Sequence, residues 1–168
     1  GTTKIVADIT KKLPLEDSAA DIVFLSNVLE HIPWGMDFLS ECGRILKKRG
    51  MIIGTIPFLA PVHQAPHDYN RYTDYMLKML LERAGFQAEI TPIGEPARVY
   101  LNIQDQFFVF LTKAKFSDLF LLQFFLRQAA ILARILARTL LAFFYPIYLK
   151  APLNTEFTQG YGFVGFKK

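Results

Sequence analysis

Histidine and acidic residues with the spacing of metal ligands lie near the middle of the chain. His63 and His67 have an H-x3-H spacing, which can chelate a metal ion on a helix, and Asp68 follows directly. Pro61 and Pro66 predict a loop here, so the helical spacing argument does not apply. We therefore expect no metal site.

A second polar group, Asn27 to His31, follows an apolar run typical of a buried parallel strand. Open α/β sheets bind ligands at the carboxyl ends of their strands, so we expect these residues to line a site. If the ligand carries a hydroxyl nucleophile, His31 can act as its general base near neutral pH. The alternative is that Glu30 and His31 begin the next helix and only cap it.

Strand-like and helix-like patterns alternate over the first hundred residues. A helix with an apolar face from Phe38 to Leu46 ends in a basic run at Lys47–Arg49, and Thr73 caps a second helix. Two strand–helix–strand units in succession predict the α/β class, with a parallel sheet and helices on its faces. The predicted strands are Lys4–Asp8, Asp21–Ser26, Met51–Ile56, Gln87–Ile93 and Tyr161–Phe166.

Residues 100–150 form a separate apolar and basic segment, predicted as a helical insert between the α/β parts 1–99 and 151–168. Gln123, Arg127, Arg134 and Arg138 fall on a narrow stripe of an otherwise apolar helix. The arginines and Pro146 argue against a membrane-spanning helix. The insert is expected to form a lid, a homodimer contact or a membrane-interface element.

Composition narrows the function classes. The chain has 168 residues, of which 52% are hydrophobic, which excludes disorder, and its single cysteine excludes a disulfide framework and fits a reducing compartment. Residues 113–150 hold six Lys/Arg and one acid, which accounts for the net charge of +4. Because these basic residues lie among apolar ones, they favour anionic lipid or an apolar partner over nucleic acid.

Several short motifs resemble class I S-adenosylmethionine-dependent methyltransferases of the type 11-like group. Asp8 with Leu13-Pro14-Leu15, and then Val28-Leu29-Glu30-His31, resemble the middle of that domain. Glu41-x-x-Arg44-Ile45-Leu46-Lys47 with Gly50 resembles a further family segment, with Lys48-Arg49 in place of Pro-Gly. The block from His67 to Thr73, followed by Ala84-Gly85-Phe86, resembles the branch found among glycan and lipid methyltransferases. The resemblance covers residues 4–93 and a final strand.

This resemblance implies S-adenosylmethionine as the cofactor and assigns roles to individual residues. Cofactor contacts are implied for Asp8, Ile9, Asn27, Val28 and Glu30, and a general-base role for His31. The loop after the fifth family strand is implied to contact substrate through His63, His67, Tyr69, Arg71 and Tyr72. Two alternatives stay open: Asp8 can cap a turn, and Arg71 can tie the loop to a carboxylate.

The Gly-rich loop that follows the first strand of this family does not occur in these 168 residues. We therefore expect the C-terminal part of a Rossmann-like methyltransferase sheet, with the Asp21–Ser26 strand at an open edge. The expected function is methyl transfer to a small-molecule, glycan or lipid-linked acceptor. The expected location is the cytoplasm, at the inner face of the membrane if the insert binds the membrane interface. The alternative is a non-catalytic remnant that acts in dimerisation or membrane attachment.

Overall fold

A computed structural model describes residues 4–94, 96–113, 120–148 and 158–168 of the chain. The chain divides into two compact units. One comprises Gly1–Ile93 with Thr158–Lys168, and the other comprises Gly94–Phe157. The sequence-based boundaries at 99/100 and 150/151 differ from these limits by six and seven residues.

The first unit is built on a four-stranded sheet, and the predicted α/β class is confirmed. The strands follow the spatial order β1-β2-β4-β3, in which β1 and β2 are parallel. Strand β4 lies between β2 and β3 and is antiparallel to both, so the expectation of a wholly parallel sheet is wrong. The antiparallel pairing arises because β4 starts where β3 ends: the amide of Gln159 donates to the carbonyl of Ile93 at 3.1 Å. The strands are β1 Ala20–Ser26, β2 Leu46–Pro57, β3 Phe86–Ile93 and β4 Gly160–Lys167.

Two helices pack on this sheet. Helix α1 spans Gly35–Ile45 and helix α2 spans Asp74–Arg83, and a short 3-10 helix covers Leu29–His31. The hydrophobic core contains fully buried residues from both helices and from the sheet. They include Leu39 and Cys42 of α1, Leu77 and Leu81 of α2, and Ile52, Phe86 and Phe163 of the strands.

The basic run Lys47–Arg49 lies in β2 and not, as predicted, at the end of the preceding helix, because α1 ends one residue before Leu46. Lys47 pairs with Asp21 of the neighbouring strand at 2.8 Å, and Arg49 has a positive φ of 64°. These residues bulge out of the β1–β2 ladder, which resumes with the pair Ile22 and Met51.

The predicted strand Lys4–Asp8 does not form. These residues have no regular secondary structure, are exposed and pair with no strand in the described part of the chain. Without a neighbouring strand to satisfy its backbone, this segment instead ends in a turn that the Asp8 side chain stabilises. Strand β1 lies at the edge of the described sheet and leaves the side chain of Phe24 69% exposed.

In its described residues, the second unit contains two helices, α3 (Pro96–Lys113) and α4 (Phe120–Tyr148). Asp105 of α3 accepts hydrogen bonds from Arg134 at 2.9 Å and from Arg138 at 2.5 Å, both on α4. Two arginines of the polar stripe that the sequence analysis identified on this helix therefore contact α3. Within the described residues, neither helix has a segment apolar and long enough to cross a membrane.

Candidate functional site

The carboxyl ends of β1 and β2 are joined by the first residue after β1. Asn27 has a positive φ of 51°, a backbone conformation that asparagine tolerates better than most residues. Its amide donates to the carbonyl of Thr55 at 3.0 Å, and the Thr55 hydroxyl donates to the Asn27 side-chain oxygen at 3.1 Å. These bonds turn the chain sharply out of the sheet and fix where the following 3-10 helix begins.

The loop between β2 and α2 is bound to this 3-10 helix by backbone hydrogen bonds. The carbonyl of Glu30 accepts from the amides of Tyr69 at 2.8 Å and Asn70 at 3.2 Å. The Asn70 side chain donates to the carbonyl of Ile32 at 2.7 Å. Sequence reasoning assigned no role to Asn70, although it lies inside the motif block His67–Thr73. The Glu30 backbone is thus held in place by a loop that lies far from it in the sequence.

Arg71 organises the inside of this loop. Its guanidinium forms a bidentate pair with Asp68, with N–O distances of 2.6 and 2.7 Å. The remaining N–H groups reach the carbonyls of Ala60 at 3.3 Å, Asn70 at 2.8 Å and Pro61 at 3.0 Å. All five guanidinium donors therefore meet a protein acceptor, which supports the loop-tying alternative for Arg71 over contact with a substrate.

Asp68 is the second part of this anchor, and it carries His63. The Asp68 carboxylate also accepts from the backbone amide of His63 at 2.8 Å, and its side chain is 2% exposed. The Arg71 guanidinium, and to a smaller extent this amide, hold the pKa of Asp68 well below its usual range. The anchor fixes the His63 backbone, and with it the place where that imidazole enters the site.

Glu30, His31 and His63 meet at the centre of the site. The Glu30 side chain is completely buried, and neither carboxylate oxygen has a hydrogen-bond partner among the described residues. Glu30 Oε1 lies 3.7 Å from His31 Nε2 and 3.9 Å from His63 Nε2. The two imidazole rings meet edge to face, with centroids 5.0 Å apart. The fold thus joins residues that the sequence assigned to cofactor, catalysis and substrate.

The hydrogen bonds of His31 determine its neutral tautomer. His31 Nδ1 lies 2.5 Å from the carbonyl oxygen of His67. A carbonyl only accepts, so Nδ1 carries a proton and the Nε2 lone pair of the neutral ring faces the Glu30 carboxylate. The His31 side chain is therefore held by the loop between β2 and α2.

Two other predicted substrate residues, His67 and Tyr69, lie at the surface of the same loop. His67 Nδ1 is 3.0 Å from the Tyr69 hydroxyl, and both side chains are exposed. Tyr72 instead packs against the hydrophobic core beside Gly35, and burial raises the pKa of its hydroxyl. Of the predicted substrate residues, the structure brings His63, His67 and Tyr69 to the loop's accessible side.

Asp8 and Ile9 belong to a turn near the amino end of α1. Asp8 accepts from the hydroxyl of Thr10 at 2.7 Å and from its amide at 3.0 Å, and these bonds lower the pKa of Asp8. Asp8 therefore caps the turn, the alternative that its sequence position left open. Thr10 and Trp34 both line a cleft of about 160 Å³. Ile9 lines a neighbouring depression of about 390 Å³.

Comparison with known proteins shows which domain and which folds the chain resembles. Residues 2–54 match the sequence profile described as Methyltransferase domain. No curated protein sequence matches the chain.

Among solved structures, an S-adenosylmethionine-dependent methyltransferase from Archaeoglobus fulgidus aligns with a TM-score of 0.54 and 18% identity, over 97% of this chain and 66% of the other. Phosphoethanolamine N-methyltransferase 2 of Haemonchus contortus, in complex with phosphomonomethylethanolamine and S-adenosylhomocysteine, aligns with a TM-score of 0.52 and 15% identity, over 97% of this chain and 36% of the other. The [4+2]-cyclase SpnF gives a TM-score of 0.52 and 12% identity, over 96% of this chain and 54% of the other.

The chain thus spans between about a third and two thirds of the length of these structures, and at these identities they establish the fold alone. The cyclase shows that this fold is also used by a protein named for a different reaction. The profile match covers the segment that runs from the Asp8 turn through β1 and α1 into β2. Residues 2–54 are thus similar to a methyltransferase domain, and the chain has the fold of the S-adenosylmethionine-dependent methyltransferase from Archaeoglobus fulgidus.

Proposed function

We propose that the protein binds S-adenosylmethionine at the carboxyl ends of β1 and β2 and transfers its methyl group to a small acceptor. One observation supports this proposal: the profile match over residues 2–54 includes both segments implied to bind cofactor, and residues beside each segment line one cleft. Thr10, next to the Asp8 turn, and Ile32 and Trp34, after the 3-10 helix, line this cleft of about 160 Å³.

The chain's own residues supply position and charge for such a reaction. S-adenosylmethionine, when bound, supplies an electrophilic methyl group on a positively charged sulfur. Methyl transfer is a direct displacement, so the protein mainly has to align the acceptor atom with the methyl carbon and the sulfur. Asn27 and Val28 lie where the sulfonium group is expected, and the buried Glu30 carboxylate adds negative charge beside it.

The acceptor is proposed to enter from the side of the loop between β2 and α2. His67 and Tyr69 present polar groups at the surface of that loop, as expected for a glycan, a lipid-linked saccharide or another polar small molecule. His31 Nε2 is buried beside Glu30 without a hydrogen-bond partner among the described residues, and it is proposed to take a proton from an acceptor hydroxyl that reaches it. The general-base role of His31 stays a prediction.

The second unit is proposed to contact a membrane surface on the cytoplasmic side. Helix α4 exposes large apolar side chains along much of its length, including Leu132 at 68% and Leu136 at 59%. Because Arg134 and Arg138 already pair with Asp105, membrane binding is better tested at the exposed apolar side chains of this helix. The double substitution Leu132→Gln and Leu136→Gln should abolish binding to vesicles of anionic lipid.

The matched control for this experiment changes Tyr75 and Met79, a similarly spaced exposed pair on α2, to glutamine. Binding that both double variants retain, or no vesicle binding by the parent protein, would refute the membrane proposal. A concentration-dependent dimer that only the α4 variant loses would assign the surface to a second copy of the chain instead.

Calorimetric titration with S-adenosylhomocysteine tests the cofactor proposal. The substitution Asn27→Gly keeps the positive φ and removes only the side-chain amide, so it should weaken binding by about threefold to tenfold, the worth of one neutral hydrogen bond. Ser18→Gly is the matched control, because Ser18 has nearly the same φ of 56° and lies before β1, at the other end of the strand. No binding by the folded parent protein would refute the proposal and favour the non-catalytic alternative.

A further inference from the structure

The contact between Glu30, His31 and His63 is an electrostatic conflict in the protein as described. Glu30 Oε1 faces two imidazole nitrogens at 3.7 and 3.9 Å, distances too long for hydrogen bonds. Both Glu30 oxygens and His31 Nε2 are buried without a hydrogen-bond partner in the described part of the chain. A buried, unpartnered carboxylate is costly, and a cation between these three side chains would remove that cost.

The imidazole tautomers add to this conflict. The bond to the His67 carbonyl places the proton of neutral His31 on Nδ1. His63 Nδ1 lies 3.1 Å from the Pro61 carbonyl and 3.4 Å from the Asp68 carboxylate, two acceptors that favour a proton on this nitrogen as well. The Arg71 guanidinium is a weaker contact of the same nitrogen at 3.4 Å. In both neutral rings Nε2 then carries an unprotonated lone pair that points toward the Glu30 side chain.

We propose that Glu30, His31 and His63 bind a divalent transition metal ion, with Zn²⁺ as the ion that fits best. Two imidazoles and one carboxylate, with a remaining open position, form a ligand set that zinc enzymes use. The three ligand atoms all lie within 4.8 Å of one another. Zinc bonds of about 2.0–2.1 Å place tetrahedral ligand atoms about 3.3 Å apart, so modest side-chain shifts close the site.

The surroundings of the two histidines match those of metal ligands. Such histidines usually donate their other ring N–H to a carbonyl or a carboxylate, which fixes the ring and directs the free nitrogen at the metal. His31 has this partner in the His67 carbonyl, and His63 has it in Pro61 and Asp68. The 38% exposure of the His63 side chain gives the ion a path from solvent.

This site departs from the expectation that the chain binds no metal. That expectation considered His63 with His67, the pair with a recognisable spacing. In the structure His67 contributes its backbone carbonyl, while its ring lies at the surface beside Tyr69. A metal on His31 Nε2 also excludes the general-base role of that nitrogen, and it leaves a coordination position that, under the proposed function, an acceptor oxygen can occupy.

The test measures metal binding directly and does not depend on methyl transfer. The metal-free protein, prepared with a chelator, is titrated calorimetrically with Zn²⁺, and Co²⁺ is added separately because its visible absorption reports ligand number and geometry. We expect one Zn²⁺ per chain and a four- or five-coordinate Co²⁺ spectrum. Glu30→Gln and His63→Ala should each weaken Zn²⁺ binding by about tenfold or more. His67→Ala, the matched control, should leave it unchanged.

Absence of Zn²⁺ binding by the parent protein would overturn the proposal, as would equal affinity in the parent and Glu30→Gln. A loss caused by His67→Ala as large as that caused by His63→Ala would also overturn it, because the ion would then lie at the loop surface.

A second measurement separates the metal site from an ion pair between Glu30 and protonated histidines. In metal-free protein, Glu30→Gln removes an uncompensated buried charge, so the urea midpoint at neutral pH should stay the same or rise. If the carboxylate is instead neutralised by imidazolium, the same substitution breaks a buried ion pair and lowers the midpoint. A lowered midpoint in metal-free protein would overturn the proposal, whatever the activity of the variant.

Discussion

Gly54 lies at the point of closest approach between β1, β2 and β4, and a methyl group there should force the strands apart. A Cβ at Gly54 would lie far inside 3.0 Å of the Leu25 carbonyl oxygen and 2.5 Å from the ring of Phe163. The backbone oxygen cannot move without breaking the β1–β2 ladder, in which Leu25 pairs with Gly54. Gly54→Ala should therefore destabilise the protein through overpacking, by about 1–3 kcal/mol.

Gly162 provides the matched control, because it lies on the adjacent strand β4 and its Cβ would meet Ile93 at 3.4 Å and the Thr91 carbonyl oxygen at 3.8 Å, which are ordinary contacts. Gly162→Ala loses less unfolded-state entropy and should stabilise by about 0.4–1 kcal/mol. The two variants should differ by about 1.4–4 kcal/mol, which is about 0.7–2 M in the urea midpoint at a constant slope of about 2 kcal/mol/M. Equal midpoints for Gly54→Ala and Gly162→Ala would refute the packing of β1 against β2 described above.

The same substitution also tests how the site is positioned. Asn27 follows β1 directly and bonds to Thr55, the residue after Gly54. A β1 strand displaced by the new methyl group moves Asn27 away from Thr55, so Gly54→Ala should weaken S-adenosylhomocysteine binding, while Gly162→Ala should not.

Three further predictions concern α1 and α2. The hydrogen bond from Arg44 lowers the pKa of Glu41 from 4.5 to about 2. Because this pKa is lower in the folded state than in the unfolded state, the Glu41 carboxylate stabilises the fold above pH 4.5, and this stabilisation is lost as the pH falls toward 2. After solvent screening the loss should be about 1 kcal/mol, measured as a drop in urea midpoint that Glu41→Gln lacks. Burial raises the pKa of the Cys42 thiol to about 12. A thiol reagent at neutral pH should therefore react slowly with the folded protein and rapidly with the protein unfolded in urea. Fast labelling of the folded protein would contradict the placement of Cys42 in the core. Thr73 caps α2 by accepting from the amide of Met76 at 3.2 Å, so Thr73→Ala should cost about 1 kcal/mol in chemical unfolding, and Thr73→Ser should retain most of it.

Local patterns in the sequence predicted most of the elements of the first unit. The β1 strand, the apolar face of α1 and the Thr73 cap depend on neighbouring residues and on helix or strand periodicity, which a sequence displays directly. The position of β4 could not be predicted in the same way, because Tyr161–Phe166 has the pattern of a strand without any sign of its partner. Its antiparallel place between β2 and β3 depends on contacts between residues far apart in sequence.

The candidate site likewise combines features that local sequence patterns predict with contacts that they do not. The segment Asn27–His31 was predicted to line the site because of what precedes it, a buried strand. That His63 would reach Glu30 could not be predicted, since it depends on how Arg71 and Asp68 fold the loop. Arg71 itself had two interpretations in the sequence, and only the positions of its five acceptors distinguish them.

The central claim is that the chain holds a cofactor at the carboxyl end of β1. The most direct measurement is an amide NMR titration of ¹⁵N-labelled protein with S-adenosylhomocysteine. Saturable shifts are predicted for Asn27–His31 and for the turn around Thr10, with Ser18 at the other end of the strand unchanged. Shifts confined to other parts of the chain, or none at saturating ligand, would contradict the claim.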